Sequence, residues 1–208
     1  MRVYGSQMSP FVRKVLVFAA EKGLAVEHIP CKPHSDHPEF KAASPLGKIP
    51  AFRDGDFRLA DSSAICQYLE HRFPMPAMFP STAEDHGRMI WFEELADTVL
   101  FPVCSRVFFN LVVSQLLFNK PGDMAIVDKA LAEELPPLLD YLERTIDGPF
   151  LVGPSISLAD IAMAMPLMNL QMCERPLDTK RWPKVARWHA DLLARRAFQG
   201  HSDEKKAA

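Results

Sequence analysis

The chain has 208 residues, 48% of them hydrophobic and 24% charged, enough to bury a real core in one large or two small domains. A formal charge of −2 argues against a general nucleic-acid binder, because neutralising phosphates takes a basic surface. Eighteen prolines and nine glycines punctuate the sequence without a repeat period or a low-complexity tract, which excludes solenoid and collagen-like architectures.

Val3-Tyr4 begins the chain as a short strand, followed by a turn at Gly5 and Ser6. Ser9-Pro10 then opens a helix over residues 10–22, with Phe11, Val15, Leu16, Phe18 and Ala19 at helical spacing. Pro10 suits the first helical position because its missing N–H is an orphan there. Ser9 is thereby the N-cap, its hydroxyl beside free backbone donors at the positive end of a helix dipole. Such a place favours an anion, a thiolate included.

Gly23 closes that helix, and Ala25 to Ile29 reads as a second strand. Residues 34–43 are polar and irregular, with a weak helical turn around Glu39 to Ala42. Ile49-Pro50 stands at the entrance to a strand, where proline cannot donate to a ladder. The arrangement suggests a cis bond, although local chemistry alone leaves cis and trans both open. Asp54-Gly55 predicts a hairpin turn before the strand Phe57 to Leu59. Asp61-Ser62-Ser63 then caps a helix over Ala64 to Phe73 with Ile65, Tyr68 and Leu69 inward. The order βαβ followed by ββα predicts a small α/β sandwich.

Pro74, Pro76 and Pro80 mark a linker, and beyond it strand signals disappear. Residues 84–118 predict one long helix or two collinear pieces kinked near Pro102. The apolar run Val99 to Phe118 approaches membrane length, but it carries Arg106, Asn110 and Gln115, so a buried helix is expected instead. A further helix spans about 124–146, bent at Pro136-Pro137. Ser157 and Asp160 form a capping box, with Ile156 and Ile161 as its hydrophobic staple. The helix that follows, 158–172, is apolar nearly all round and should be the centre of the second domain. Trp182 to Arg195 is the last helix, and 201–208 is expected to fray.

Cys31, Cys66, Cys104 and Cys173 are far apart and show no metal-ligand spacing. With no signal-peptide pattern at the N-terminus, free thiols in a reducing cytoplasm are expected, and no membrane association.

Four features taken together resemble a cytosolic glutathione S-transferase of a serine-type, bacterial-like class. They are Ser9-Pro10 with Arg13-Lys14-Val15, Gly47-Lys48-Ile49-Pro50, Asp61-Ser62 with Ala64-Ile65 and Tyr68-Leu69, and Gly153 before the Ser157/Asp160 box. The resemblance covers nearly the whole chain. It implies a thioredoxin-like N-terminal domain over 1–75, a linker over 76–83 and an all-helical domain over 84–208.

It also implies glutathione as co-substrate, a small hydrophobic electrophile as second substrate, no metal, and a homodimer. Ser9 would hydrogen-bond the glutathione sulfur. Ile49, before Pro50, would pair its backbone with the cysteinyl backbone as an added strand does. Asp61 and Ser62 would hold the γ-glutamyl end, and Lys48 and His37 the glycyl carboxylate. Met8, Phe11, Phe101, Cys104, Arg106 and Phe108 would line the electrophile pocket, and Phe52, Arg53 and Phe57 would lie at the dimer interface.

The chain departs from the family in having Asp61 where Glu is commoner. It also lacks the serine-serine-cysteine signature of maleylacetoacetate isomerases and has no cysteine at position 9. Glutathione-dependent reduction of peroxides or disulfides, or a non-catalytic binding role for the same fold, are the alternatives.

Overall fold

A computed structural model describes residues 1–200, and the chain divides into two compact units. One comprises residues 1–79 together with the described residues from Arg196 on; the other comprises 80–195. The first unit thus extends into the expected linker, and Arg196 onward groups with it, not with the helical unit. The expectation for 201–208 lies outside the described residues.

In the first unit the elements run β1 (Arg2–Tyr4), α1 (Pro10–Glu21), β2 (Glu27–Ile29), α2 (Pro38–Ala43), β3 (Ala51–Asp54), β4 (Phe57–Ala60) and α3 (Ser62–Arg72). The sheet order is β2-β1-β3-β4. β1 and β2 pair in parallel through the α1 crossover, while β3 is antiparallel to both β1 and β4. Strand alternation sorts the two faces. Phe52 turns toward α3, its ring 5.7 Å from Tyr68, whereas Tyr4 and Ala51 pack with Phe40 and Ala43 of α2. The α2 helix is fuller than the weak turn read from sequence, with Pro38 in its first turn supplying the fixed φ.

Helix α1 ends where expected. Gly23 takes φ +67, its N–H donating to the Ala20 carbonyl and that of Leu24 to the Ala19 carbonyl, both at 2.9 Å. This is the paired closure that glycine allows.

A buried ion pair was not legible in sequence. Lys22 Nζ lies 2.7 Å from Glu70 Oε2 and donates at 2.6 Å to the Pro76 carbonyl. Glu70 Oε1 accepts the N–H groups of Met78 and Phe79 at 3.0 and 3.2 Å. Every polar atom of the pair therefore has work to do, as burial of charge requires. Met75–Pro76, within the segment it holds, is cis.

The second unit is helical. Its first helix, α4 (Ala83–Phe118), is continuous through Pro102 and contains two π-helical turns, Ala96–Leu100 and Phe109–Val113. Proline lacks the N–H that would bond four residues back. The wider turn directly ahead of Pro102 accommodates that loss without dividing the helix. The next helix, α5 (124–145), does the same, with a π turn at Ala130–Glu134 ahead of Pro136-Pro137.

α4 is long and apolar enough to cross a membrane by composition, but only 33% of its most apolar window is buried, less than the buried helix expected. Its C-terminal residues Leu116, Leu117 and Phe118 are exposed.

At the centre of this unit lies α6 (Leu158–Met172), buried at every position from Leu158 to Leu170. Asp160 organises the start of α6. Its Oδ2 accepts from the Ser157 N–H at 3.0 Å and the Ser157 hydroxyl at 3.1 Å. Its Oδ1 accepts from the Leu151 N–H at 2.8 Å and the Trp188 indole N–H at 3.0 Å. Burial pushes the carboxyl up, against four donors that pull it down. The last helix, α7 (Pro183–Leu193), is capped from α5, where Glu143 accepts the N–H groups of Lys184 and Val185, each at 3.0 Å.

Two outcomes test this account. Asp160→Ala strands four donors, three of them around a buried site, and should cost about 3–5 kcal/mol in denaturant unfolding, whereas a surface change such as Asp191→Ala should cost almost nothing. His189, 6% exposed on α7, is held by burial to a pKa of about 4, below its ordinary 6.5. The unfolded chain therefore binds more protons, and stability is full above about pH 6.5 and lost as pH falls toward 4. The loss should amount to roughly 3 kcal/mol and should flatten in His189→Leu, read as the pH dependence of the denaturation midpoint.

Candidate active site

Sheet register brings three loops to one end of the first unit. Tyr4, the last residue of β1, pairs with Ala51, the first of β3, and Ala51 pairs with Ala60, the last of β4. One residue beyond this sheet end stand Gly5 and Asp61, which follow their strands, and Pro50, which precedes its own. The β1–α1 turn, the approach to β3 and the N-terminus of α3 therefore lie side by side. Gly5 brings the first two into contact. A Cβ there would meet Val12 Cγ2 at 2.5 Å and Ile49 Cβ at 3.0 Å, and the residue sits at φ +147, so no side chain fits.

Ser9 is the N-cap of α1 by backbone position, with Pro10 in the first turn, but its hydroxyl makes no capping hydrogen bond. The hydroxyl is half-buried at a helix N-terminus and is not used by the helix itself. The turn that carries it is fixed from below. His28 Nε2 lies 2.7 Å from the Gly5 carbonyl, His28 Nδ1 is 3.3 Å from Gln7 Nε2, and Arg13 Nη1 donates at 2.5 Å to the Gln7 carbonyl. The sequence reading used Arg13 only as part of a motif and missed His28. A lone histidine in a strand carries no signal until the strand pairing is known.

Ile49–Pro50 is cis, which resolves the choice the sequence left open. Ser44 donates its hydroxyl to the Lys48 carbonyl at 2.7 Å, shaping the turn before it. Lys48 is exposed, and its side chain is free to reach outward.

Asp61 caps α3. Its Oδ1 accepts the N–H groups of Ser63 and Ala64, both at 3.0 Å, while the residue itself holds φ +80. Two of the donors expected for a ligand carboxylate are therefore taken by Asp61, leaving the Ser62 end of the helix. Ser62 is buried, and Lys14 Nζ donates to the neighbouring Ser63 hydroxyl at 3.2 Å, joining α1 to α3 beside the site.

His37 is exposed at the start of α2, its ring 5.7 Å from Tyr4. The same helix is anchored by Glu39, whose carboxylate takes Tyr4 Oη at 2.7 Å, Arg2 Nη1 at 3.0 Å and a close contact with Arg53. The Tyr4 hydrogen bond leads the causes that hold the Glu39 carboxyl below its usual range.

The residues expected to line an electrophile pocket are distributed over both units. Met8 and Phe11 are half-buried in the first, and Phe101 and Arg106 half-buried in the second, where Arg106 pairs with Glu134. Cys104 and Phe108 are corrections. They are 1% and 5% exposed, and burial drives the Cys104 thiol far up, so both are core residues with no surface for a ligand. Phe52, fully buried in its own unit, likewise offers nothing to a partner chain, whereas Phe57 is exposed and stacks on Tyr68 at 4.5 Å. Among the described residues no group of three or more His, Cys, Asp or Glu is placed to hold a metal.

The comparisons follow the same division. The family "Glutathione S-transferase, N-terminal domain" matches residues 3–77, and "Glutathione S-transferase, C-terminal domain" matches residues 124–191. A glutathione S-transferase from Hyoscyamus muticus is 34% identical over 209 residues, covering 95% of this chain and 95% of its own. Glutathione S-transferase 3 from Zea mays is 33% identical, covering 96% and 91%. Among solved structures, glutathione transferase F7 from Populus trichocarpa superposes with a TM-score of 0.84 at 26% identity, covering 97% of each chain. These relatives are plant proteins and lend the bacterial-like class no support.

Asp61 gives a local test of the site's backbone. Asp61→Ala should lower stability by about 1 kcal/mol through loss of the cap. Asp61→Gly should cost less, because glycine adopts a positive φ without a Cβ penalty. Denaturant midpoints of the two variants against the parent give the order directly.

Proposed function

We propose that this chain, which belongs to the glutathione S-transferase family, binds glutathione at the shared end of β1, β3 and β4 and activates its thiol for attack on a hydrophobic electrophile. The observation that carries the reading is the Ser9 hydroxyl. It stands at the N-terminus of α1, unused by the cap, on the same sheet end as Ile49–Pro50 and Asp61-Ser62.

In this reading the Ile49 backbone pairs with the cysteinyl backbone of glutathione, as an added strand would. Ser62 holds the γ-glutamyl carboxylate and the exposed Asp61 oxygen its ammonium. Lys48, with His37, meets the glycyl carboxylate. The sulfur then reaches Ser9, whose O–H donates to it while the positive helix end favours the anion.

The chemistry is a shift in protonation. A thiol of pKa roughly 8.5 is only a few per cent thiolate at pH 7. Lowering it by about two units raises the thiolate fraction roughly 25-fold and stabilises the anion by about 2.7 kcal/mol relative to the thiol. The thiolate sulfur forms the new bond to the electrophilic carbon, and the departing group or the developing carbanion takes the electron pair.

Met8 and Phe11, half-buried in the first unit close to Ser9 in the chain, remain proposed contacts of that second substrate. The proposed setting is the cytoplasm, where reduced glutathione is abundant and the four cysteines stay as thiols. The proposed assembly is a homodimer.

The ultraviolet difference spectrum of the protein titrated with glutathione across pH tests the assignment. The bound thiol should ionise about two units below free glutathione, and Ser9→Ala should return it most of the way while leaving the melting temperature within a degree or two. Tight binding with an unshifted thiol would overturn the role of Ser9. Failure to bind would leave a protein that keeps the fold for another purpose.

A further inference from the structure

Both backbone polar groups of Gly5 are held from β2. Its N–H donates to the Ile29 carbonyl at 3.1 Å, and its carbonyl accepts from the His28 side chain, Nε2 lying 2.7 Å away. A carbonyl only accepts, so Nε2 carries the proton, and Nδ1 is the acceptor for Gln7 Nε2 at 3.3 Å. His28 pairs with Val3 in the sheet and so stands on the face opposite Tyr4 and Ile29, which pack with α2. From its own face it meets the same turn that Arg13 of α1 reaches at the Gln7 carbonyl.

Gly5 is where this turn supports itself least. Glycine has no side chain to restrict the plane of the peptide that follows it, and Gly5 is buried, where an unmet carbonyl is costly. Ser6, on the far side of that peptide, holds the rest of the turn. Its carbonyl accepts the Ser9 N–H at 3.0 Å and its hydroxyl the Met8 N–H at 3.2 Å. The placement of Ser9 is therefore handed on from the Gly5–Ser6 peptide, and His28 orients that peptide.

We propose, on the footing of the glutathione reading above, that His28 is a positioning residue for thiol activation: by donating to the Gly5 carbonyl it fixes the peptide from which the Ser9 turn hangs, and with it the direction in which the Ser9 hydroxyl meets the sulfur. His28 acts through the turn, with no contact of its own to the substrate. A hydrogen bond weakens steeply as its angle degrades. The backbone and charged contacts proposed for the rest of glutathione lie on other segments. Loss of the His28 donor is therefore felt in the ionisation of the bound thiol and not in the binding of its protonated form.

The test is the ultraviolet titration with glutathione across pH, run on three further variants. His28→Gln places an amide N–H where Nε2 stands. His28→Met has nearly the same length without a donor, and His28→Asn is polar but too short to reach Gly5. All three are uncharged, so differences among them report the hydrogen bond and not a charge on the imidazole. In the Met and Asn variants the bound thiol should ionise about half a unit to one unit higher than in the parent, a roughly three- to tenfold smaller ratio of thiolate to thiol, while His28→Gln stays near the parent. Glutathione affinity at about pH 5, where free and bound thiols are both protonated, should stay within about twofold in all three.

The proposal is overturned if the Met and Asn variants keep the parent's thiol ionisation, whatever their melting temperatures, since His28 would then only brace the fold. It is overturned as well if His28→Gln shifts as far as they do. A parent that leaves the bound thiol unshifted, or binds no glutathione, gives a different failure: the glutathione reading itself falls and takes the role of His28 with it.

Discussion

The site of this protein hangs on strand register. Tyr4 against Ala51, and Ala51 against Ala60, place three chain segments far apart in sequence at one sheet end. A slip of one residue at either ladder would turn Phe52 outward and carry Pro50 or Asp61 to the wrong neighbour. The register is secured by packing on both faces, with Tyr4 and Phe40 on one and Phe52 with Tyr68 on the other. It is secured again by Glu39, which ties α2 to Arg2 of β1 and Arg53 of β3. The geometry of the site is thus a by-product of a small core that folds for its own reasons, with one serine hydroxyl left over at a helix end.

Local chemistry explains what could be read in advance. Pro10 in the first turn, Gly23 beyond the last, Asp61 as N-cap and the Ser157/Asp160 box each act within a few residues of themselves. Their consequences are therefore written where they stand in the chain. Lys22 and Glu70 are 48 residues apart, and each alone reads as a solvated charge. His28 and Glu39 acquire their roles only once β1 lies between β2 and β3. The presumed pocket lining fared worst, since an apolar helix residue in sequence has no sign saying whether it faces a ligand or a core. Cys104 and Phe108 face the core.

The second unit follows a parallel logic with one carboxylate at its centre. Asp160 serves the backbone of Leu151 and Ser157 and the indole of Trp188, so the chain before α6, the start of α6 and the middle of α7 meet on two oxygen atoms. Glu143 does the same for the first turn of α7 from a different helix, accepting two of its orphan N–H groups. An acidic side chain thus completes the local capping box at α6 and stands in for a local cap at α7. The sequence advertised the first of these because donor and acceptor are three residues apart, and hid the second because they are 41 and 42 apart.

The π turns of α4 carry a consequence for how that helix addresses its surroundings. Each wide turn holds an extra residue, so the side chains beyond it are rotated relative to a straight α-helix. A helix with two such phase slips has no single apolar stripe. Met89 and Phe92 are buried ahead of the first slip, Ala96 and Leu100 within it, and Val103, Cys104 and Val107 between the two. Past the second slip Leu116, Leu117 and Phe118 are all exposed, and because consecutive side chains point about 100° apart the last turn of α4 lies open on most of its circumference. The greasy end of α4 therefore differs in kind from the turns before it: there one face is covered, and here hardly any is.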